Sequence, residues 1–108
     1  MNTASILDLF ERTVREHQLK ISLYAAEEAL AEHITRPEIE EAMLNAQLLE
    51  DYPQWWLGPS CLIHGRTAAG RDLHIVASYS GFPVTIITVY EPRPPKWITP
   101  TLRGGYER

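Results

Sequence analysis

Between Pro59 and Trp97 the chain carries three runs of strand-forming residues with very little between them. The runs are about Ser60–Arg66, Arg71–Tyr79 and Val84–Tyr90. The last is built largely of Val, Ile and Thr, which suit a pleated, half-buried surface. Thr67-Ala68-Ala69-Gly70 reads as a short hairpin loop and Ser80-Gly81 as a tight turn. A parallel neighbour would need a crossover of roughly a dozen residues or more. These connections are far shorter, so the strands are expected to run antiparallel. A two-residue loop at Ser80-Gly81 pairs Ala77 with Val84, Ile75 with Ile86 and Leu73 with Thr88. It leaves His74 and Val76 on the opposite face with Thr85, Ile87 and Val89. That second face is too apolar to be fully wet. It calls for cover from the Trp55-Trp56 loop, from the C-terminal tail or from a partner.

Helical periodicity fills the first half. Ile6, Leu9, Phe10, Thr13, Val14 and His17 form one stripe of a helix over about Ser5–His17. A second helix covers about Leu23–Glu32, with Leu23, Ala26 and Leu30 on one side. Thr35-Arg36-Pro37-Glu38 starts a third: Thr35 caps it, Glu38 bonds back to the cap, and Pro37 is accommodated in the first turn. Ile39, Met43 and Ala46 line its buried face, and Leu48–Tyr52 is a short strand. Helices first and strands second predict an α+β fold, with N-terminal helices packed on a small antiparallel sheet of three to four strands. Residues 1–97 form a single domain, and 98–108 is a tail that is extended and partly mobile. Glu91-Pro92-Arg93-Pro94-Pro95 ends the sheet, because its prolines remove ladder donors.

With 108 residues, a single domain is expected. No run reaches the roughly 20 apolar residues that span a bilayer. The N-terminus has acids inside its apolar stretch and no basic leader, so no signal peptide is expected. The single cysteine, Cys61, lies in an apolar run, excludes an internal disulfide and reads as a buried thiol. Together these point to the cytoplasm as the expected location. The net charge of −4 is unevenly spread. Residues 1–51 hold four Lys/Arg against eleven Asp/Glu, whereas residues 52–108 hold six against three. Either the molecule has an acidic and a basic face, or the acidic helices are simply solvated.

Nearly all polar groups suited to chemistry fall in the strand-rich stretch. His74, in mid-strand, suits a general base or acid, or else a hydrogen-bonded histidine at the core edge. His64 and Arg66 project to one side of their strand, and Arg71 opens the returning one. Two guanidiniums brought together there would hold an anion such as phosphate, unless they are exposed hairpin arginines. Tyr90, Arg93 and Lys96 follow the last strand. They could stack on a base, pass a proton or neutralise a phosphate, or Tyr90 with Trp97 could merely anchor the proline-rich exit. Trp55-Trp56 is a stacking platform or a core lid. His17 and His33 read as structural, with no metal-site spacing. No P-loop, dinucleotide fingerprint, Gly-x-Ser-x-Gly elbow or HExxH motif occurs. No helix offers a basic recognition face, so direct DNA binding is not expected.

The same residues carry a resemblance. Pro59-Ser60-Cys61-Leu62, Gly65-Arg66, Gly70-Arg71-Asp72-Leu73-His74-Ile75-Val76, Ile87-Thr88-Val89-Tyr90-Glu91-Pro92 and Lys96-Trp97 resemble the "GR…GR-x-L-H-x-V" core and "ITVY-x-P…W" close of a bacterial domain of unknown function, number 4258. Ile21-Ser22, Ile34-Thr35, Glu38-Ile39, Ala42 and Leu49-Glu50-Asp51-Tyr52-Pro53 resemble its first half. That family looks related to the RelE and MqsR type of ribonuclease toxins, which often stand beside a zinc-finger or helix-turn-helix antitoxin. The resemblance implies RNA cleavage without metal or other cofactor, by attack of a 2′-hydroxyl on the neighbouring phosphate. His74 would be base or acid, and Arg66 and Arg71 would hold phosphate. On chemical grounds Tyr90 and Lys96 supply proton transfer or charge, with His64 and Arg93 as further phosphate contacts.

The chain departs from the family in its first helix. The resembled family typically carries His-Ala after Ile-Ser, then Glu-Arg, where this chain has Tyr24-Ala25 and Glu27-Glu28. The leading expectation is thus a cytoplasmic toxin-like domain, a metal-independent endoribonuclease paired with an antitoxin. The rival is a catalytically degenerate member that acts as a protein-interaction module.

Overall fold

In the computed structural model, which describes residues 1–94 and 96–104, the three strand runs pair as successive antiparallel hairpins. The helices are α1 (Thr3–Arg15), α2 (Leu23–Ala31) and α3 (Arg36–Leu44). The strands are β1 (Lys20–Ile21), β2 (Gln47–Tyr52), β3 (Ser60–Arg66), β4 (Asp72–Ser78), β5 (Thr85–Tyr90), β6 (Trp97–Thr99) and β7 (Leu102–Arg103). The fold is α+β, with a five-stranded sheet in the order β1-β5-β4-β3-β2 and a separate β6–β7 hairpin.

Each helix begins at a side chain that satisfies an orphan backbone donor. Asn2 accepts from Ser5 N at 2.8 Å and Ser22 from Ala25 N at 3.1 Å. Thr35 and Glu38 form the full capping box expected from their spacing. Helices α1 and α2 end alike. Gln18 N reaches Thr13 O and His17 N reaches Val14 O; Ile34 N reaches Ala29 O and His33 N reaches Leu30 O. These are Schellman closures, and the histidines occupy the left-handed position at φ 57° in both. They have the structural role expected of them.

Four features differ from the sequence reading. The sheet is mixed rather than purely antiparallel, because β1 lies parallel to β5, with Lys20 N on Val84 O and Ser22 N on Ile86 O. A two-residue strand has no periodicity to reveal it.

The β4–β5 register also differs: Ile75 pairs with Val89, Val76 with Thr88 and Ala77 with Ile86. The connection is longer than a two-residue turn, and a bulge inserts Ile87 as an extra residue. One inserted residue exchanges faces beyond it. Val89 therefore joins Leu73, Ile75 and Ile86 in the core, while Thr88 and Tyr90 join His74 and Val76 on the other face.

The third difference is in α2. Leu23 and Leu30, expected on its buried side, are 76% and 79% exposed, and Ala25 and Ala29 are buried instead. The small alanines let α2 lie close against β5. Finally, the described part of the tail is not extended: it folds into the β6–β7 hairpin, with Trp97 buried and His74 beneath it. Residues 105–108 of the expected tail lie outside the described residues.

Helix α3 lies tight against β3 at Gly65. A β-carbon built there would lie 1.9 Å from the backbone oxygen of Ala42. The core between helices and sheet is filled by Ile6, Phe10, Ile39, Met43, Ile63, Leu73, Ile75, Ile86 and Val89.

Candidate functional site

The sheet face turned away from the core is covered over His74 by the β6–β7 hairpin, and two adjoining depressions lie on the rest of it. One is a polar cleft of about 460 Å³, bordered by Tyr24, Glu28 and Glu32 on the α2 side and by Tyr90, Arg93, Lys96 and Arg103 on the other. The second is an apolar groove of about 620 Å³ lined by Tyr52, Pro53, Trp55, Val76 and Ile87. Tyr52, Val76 and Thr88 border both, so the two are continuous.

The α2 wall of the cleft is built by matched spacings. Strand β1 pairs only with the start of β5, which leaves later β5 donors without a strand partner. Glu28 accepts from Val89 N at 3.0 Å and Glu32 accepts from Glu91 N at 3.0 Å. Four residues along a helix rise about 6 Å and two along a strand about 6.6 Å. Carboxylates at i and i+4 of α2 thus stand in for a missing strand, and Glu28 also accepts from the Thr88 hydroxyl. These two acids close the sheet edge.

The cleft cations are mostly held by carboxylates of this chain. Arg93 pairs with Glu32 at 3.2 Å and with Glu91 at 2.8 Å. Arg103 grips Glu50 through two bonds of 2.7 and 2.8 Å and lies 4.7 Å from the centroid of the Trp97 ring. Glu50 also accepts from the Tyr52 hydroxyl. The Arg103 hydrogen bonds hold the Glu50 carboxyl below its usual range, and burial followed by the Glu50 contact pushes the Tyr52 hydroxyl up to about 12. Lys96 is exposed, sits 5.8 Å from the Tyr90 ring centroid and makes no ion pair among the described residues.

Of the seven residues singled out from sequence, Tyr90, Arg93 and Lys96 meet in this cleft. His74 does not open onto it. Its ring is 0% exposed, with Nε2 2.5 Å from Pro100 O, Nδ1 3.2 Å from the Tyr90 hydroxyl and the Trp97 ring centroid 4.4 Å away. A carbonyl can only accept, so Nε2 carries the proton and Nδ1 is the acceptor for Tyr90. His74 thus props Tyr90 from behind.

His64, Arg66 and Arg71 lie outside the cleft as well. His64 contacts Asp72 at 2.8 Å, and Arg66 donates to the same oxygen at 3.2 Å. Burial pushes the Asp72 carboxyl up, and those two bonds more than reverse it. Arg66 pairs in register with Asp72, so Arg71 falls one residue off and faces the other way. The arginine pair expected to clasp an anion is therefore not formed. Arg71 instead ties Glu91, Glu38, His33 O and Glu32 O together.

Sequence reasoning missed Glu28, Glu32 and Arg103 as cleft residues. The i, i+4 acid spacing was a usable signal for the first two, and nothing local marks Arg103. Cys61 is buried, and burial pushes its thiol up to about 12. Among the described residues no group of three His, Cys, Asp or Glu side chains is placed to hold a metal ion. No described helix is long and apolar enough to cross a membrane.

The buried histidine gives a pH signature. Burial lowers the His74 pKa from its ordinary 6.5, outweighing the Pro100 bond; His64 and Arg103 act in the same direction and Glu50 in the opposite one. The unfolded chain therefore takes up a proton before the folded one does. The His74 contribution is complete above about pH 6.5 and is lost as pH falls below it. Lowered carboxyls such as Glu38 and Glu50 begin to act only below their ordinary 4.5. The urea midpoint is expected to fall between about pH 7 and pH 5, and His74→Gln to flatten that slope. An unchanged slope in the variant would remove His74 as the cause.

Residues 21–91, well over half of the chain, match the family described as Domain of unknown function (DUF4258). No curated protein and no solved structure matches the chain.

Proposed function

The chain belongs to the DUF4258 family, and on that footing we propose that it is a toxin-like domain of the RelE/MqsR kind that cleaves single-stranded RNA without metal at the open cleft. The reading is carried by the convergence of Tyr90, Arg93, Lys96 and Arg103 on one accessible depression, facing the Tyr24 phenol. The ribose 2′-hydroxyl gives its proton to solvent water as its oxygen attacks the adjacent phosphorus, and the bond to the 5′-oxygen of the next nucleotide breaks as that oxygen takes a proton from water, giving a 2′,3′-cyclic phosphate and a 5′-hydroxyl end. Lys96, the cleft cation without an ion pair among the described residues, meets the charge developing on the phosphoryl oxygens. Arg93 and Arg103, fixed by their carboxylates, define its edge. Tyr90, held by His74, orients the ribose. Burial raises the Tyr90 hydroxyl pKa, which keeps it protonated at neutral pH. The protein acts in the bacterial cytoplasm, and a zinc-finger or helix-turn-helix antitoxin silences it by covering the cleft.

The test is incubation of single-stranded RNA with the protein in EDTA. Products ending in 2′,3′-cyclic phosphate are expected, with no cut where the scissile ribose is 2′-deoxy. Intact RNA at high protein concentration would remove the catalytic reading. The second reading, a degenerate interaction module, is favoured by one observation: Arg66, Arg71, Arg93 and Arg103 are each engaged by a carboxylate of the same chain. Under it, RNA stays intact and the face binds a protein instead.

A further inference from the structure

The apolar groove beside the cleft has no part in the chemistry above, yet it continues directly from it. Across the shared border of Tyr52, Val76 and Thr88, the lining changes from charged to mainly apolar, with Asp51, whose carboxylate accepts from the Tyr79 hydroxyl, and Gln54 as its polar members beyond that border. At the cleft end stands Lys96, exposed and without an ion pair among the described residues. At the groove end two aromatic rings, Tyr52 and Trp55, face an aliphatic floor of Val76 and Ile87. Short backbone bonds fix the wall that carries Trp55: Trp55 N to Tyr52 O at 3.3 Å and Gly58 N to Trp55 O at 2.8 Å. Trp55 is half-buried, whereas its neighbour Trp56 is 82% exposed and does not line the groove.

We propose that this groove is a nucleobase subsite, in which a base of single-stranded nucleic acid stacks against Trp55 and Tyr52 while its phosphate lies toward Lys96. The inference rests on the RNA reading and adds where the base goes. A nucleotide is anionic at one end and flat and aromatic at the other, the same polarity as cleft and groove in succession. Stacking is indifferent to base identity, because every base offers a π-face. Gln54, also on the lining, supplies an amide that can donate to or accept from a base edge.

The probe is a short single-stranded DNA oligonucleotide. It lacks the 2′-hydroxyl and so reports binding without cleavage. Trp55→Ala is expected to weaken its binding about 5- to 100-fold, the range that loss of one stacked base gives. Trp55→Phe is expected to retain most of the affinity and Trp56→Ala nearly all of it. The same oligonucleotide made abasic is expected to bind the wild type as weakly as the intact one binds Trp55→Ala. Equal binding by wild type and Trp55→Ala, or by intact and abasic strands, would overturn the proposal. RNA cleavage that is indifferent to Trp55 would overturn it and leave the ribonuclease reading standing. Trp55-dependent DNA binding without RNA cleavage would support it and sink the ribonuclease reading. Failure to bind any oligonucleotide would sink both. A Trp55→Ala protein that keeps its oligonucleotide affinity but loses a protein partner would assign the groove to that partner instead.

Discussion

Gly65→Ala is expected to destabilise the protein strongly, far more than Gly81→Ala. The new β-carbon would sit 1.9 Å from Ala42 O, 2.5 Å from Ala42 C and 2.9 Å from Ala42 Cα, all backbone of α3. No side chain can rotate away to make room, so the helix must move off the strand. That movement would open the layer where Ile39, Ala42 and Met43 meet Ile63. Overpacking that side chains can absorb costs about 1–3 kcal/mol. Here the cost should be about 3 kcal/mol or more, against roughly 5–15 kcal/mol for a whole domain. A fall in melting temperature of roughly 10 °C or more follows for a chain of this size. Gly81→Ala is the control, because its β-carbon would meet nothing within 4 Å. If both variants melt together, the close approach of α3 to β3 is wrong.

Arg71→Ala is expected to have the next largest effect, through a different mechanism. Its guanidinium donates to two carbonyls at the end of α2, Glu32 O at 2.5 Å and His33 O at 2.8 Å, and pairs with Glu38 and Glu91. One side chain, 24% exposed, thus joins α2, α3 and the exit from β5. A cation at a helix C-terminus also complements the macrodipole. Truncation strands two carbonyls and loosens two carboxylates, at about 2–3 kcal/mol once partial exposure is discounted. Arg71→Lys should recover little, because a single ammonium cannot reach four acceptors arranged for a planar fork. Urea denaturation of the three proteins measures this. Full rescue by lysine would show that only the charge matters.

These two residues show what could be read in the sequence and what could not. Gly65 and Arg71 belong to the motif that marked the strands, and the strands stand where alternation and turn residues placed them. The Thr35–Glu38 capping box was legible because its spacing is local. The side on which α2 is buried was not. Leu23, Ala26 and Leu30 look like a buried stripe until Glu28 and Glu32 are seen to complete the edge of β5, a requirement set by residues some 60 positions away. The bulge at Ile87 is a single inserted residue with no compositional mark, yet it decides that Tyr90 rather than Val89 faces the cleft. His74 was legible as unusual but not as sealed, because the hairpin that covers it looked like an open tail. The Arg103–Glu50 bridge joins residues 53 positions apart, beyond the reach of any local pattern.

The most direct measurement is RNA cleavage in EDTA by wild type, Lys96→Ala and Arg66→Ala side by side. Lys96 lies in the cleft, whereas Arg66 sits at the β3–β4 hairpin against Asp72. If the cleft is the working surface, Lys96→Ala should lose about 10²-fold or more of the rate, the scale of one electrostatic stabiliser, and Arg66→Ala should stay close to wild type. Cleavage that survives Lys96→Ala and disappears in Arg66→Ala would contradict it and move the site to the hairpin.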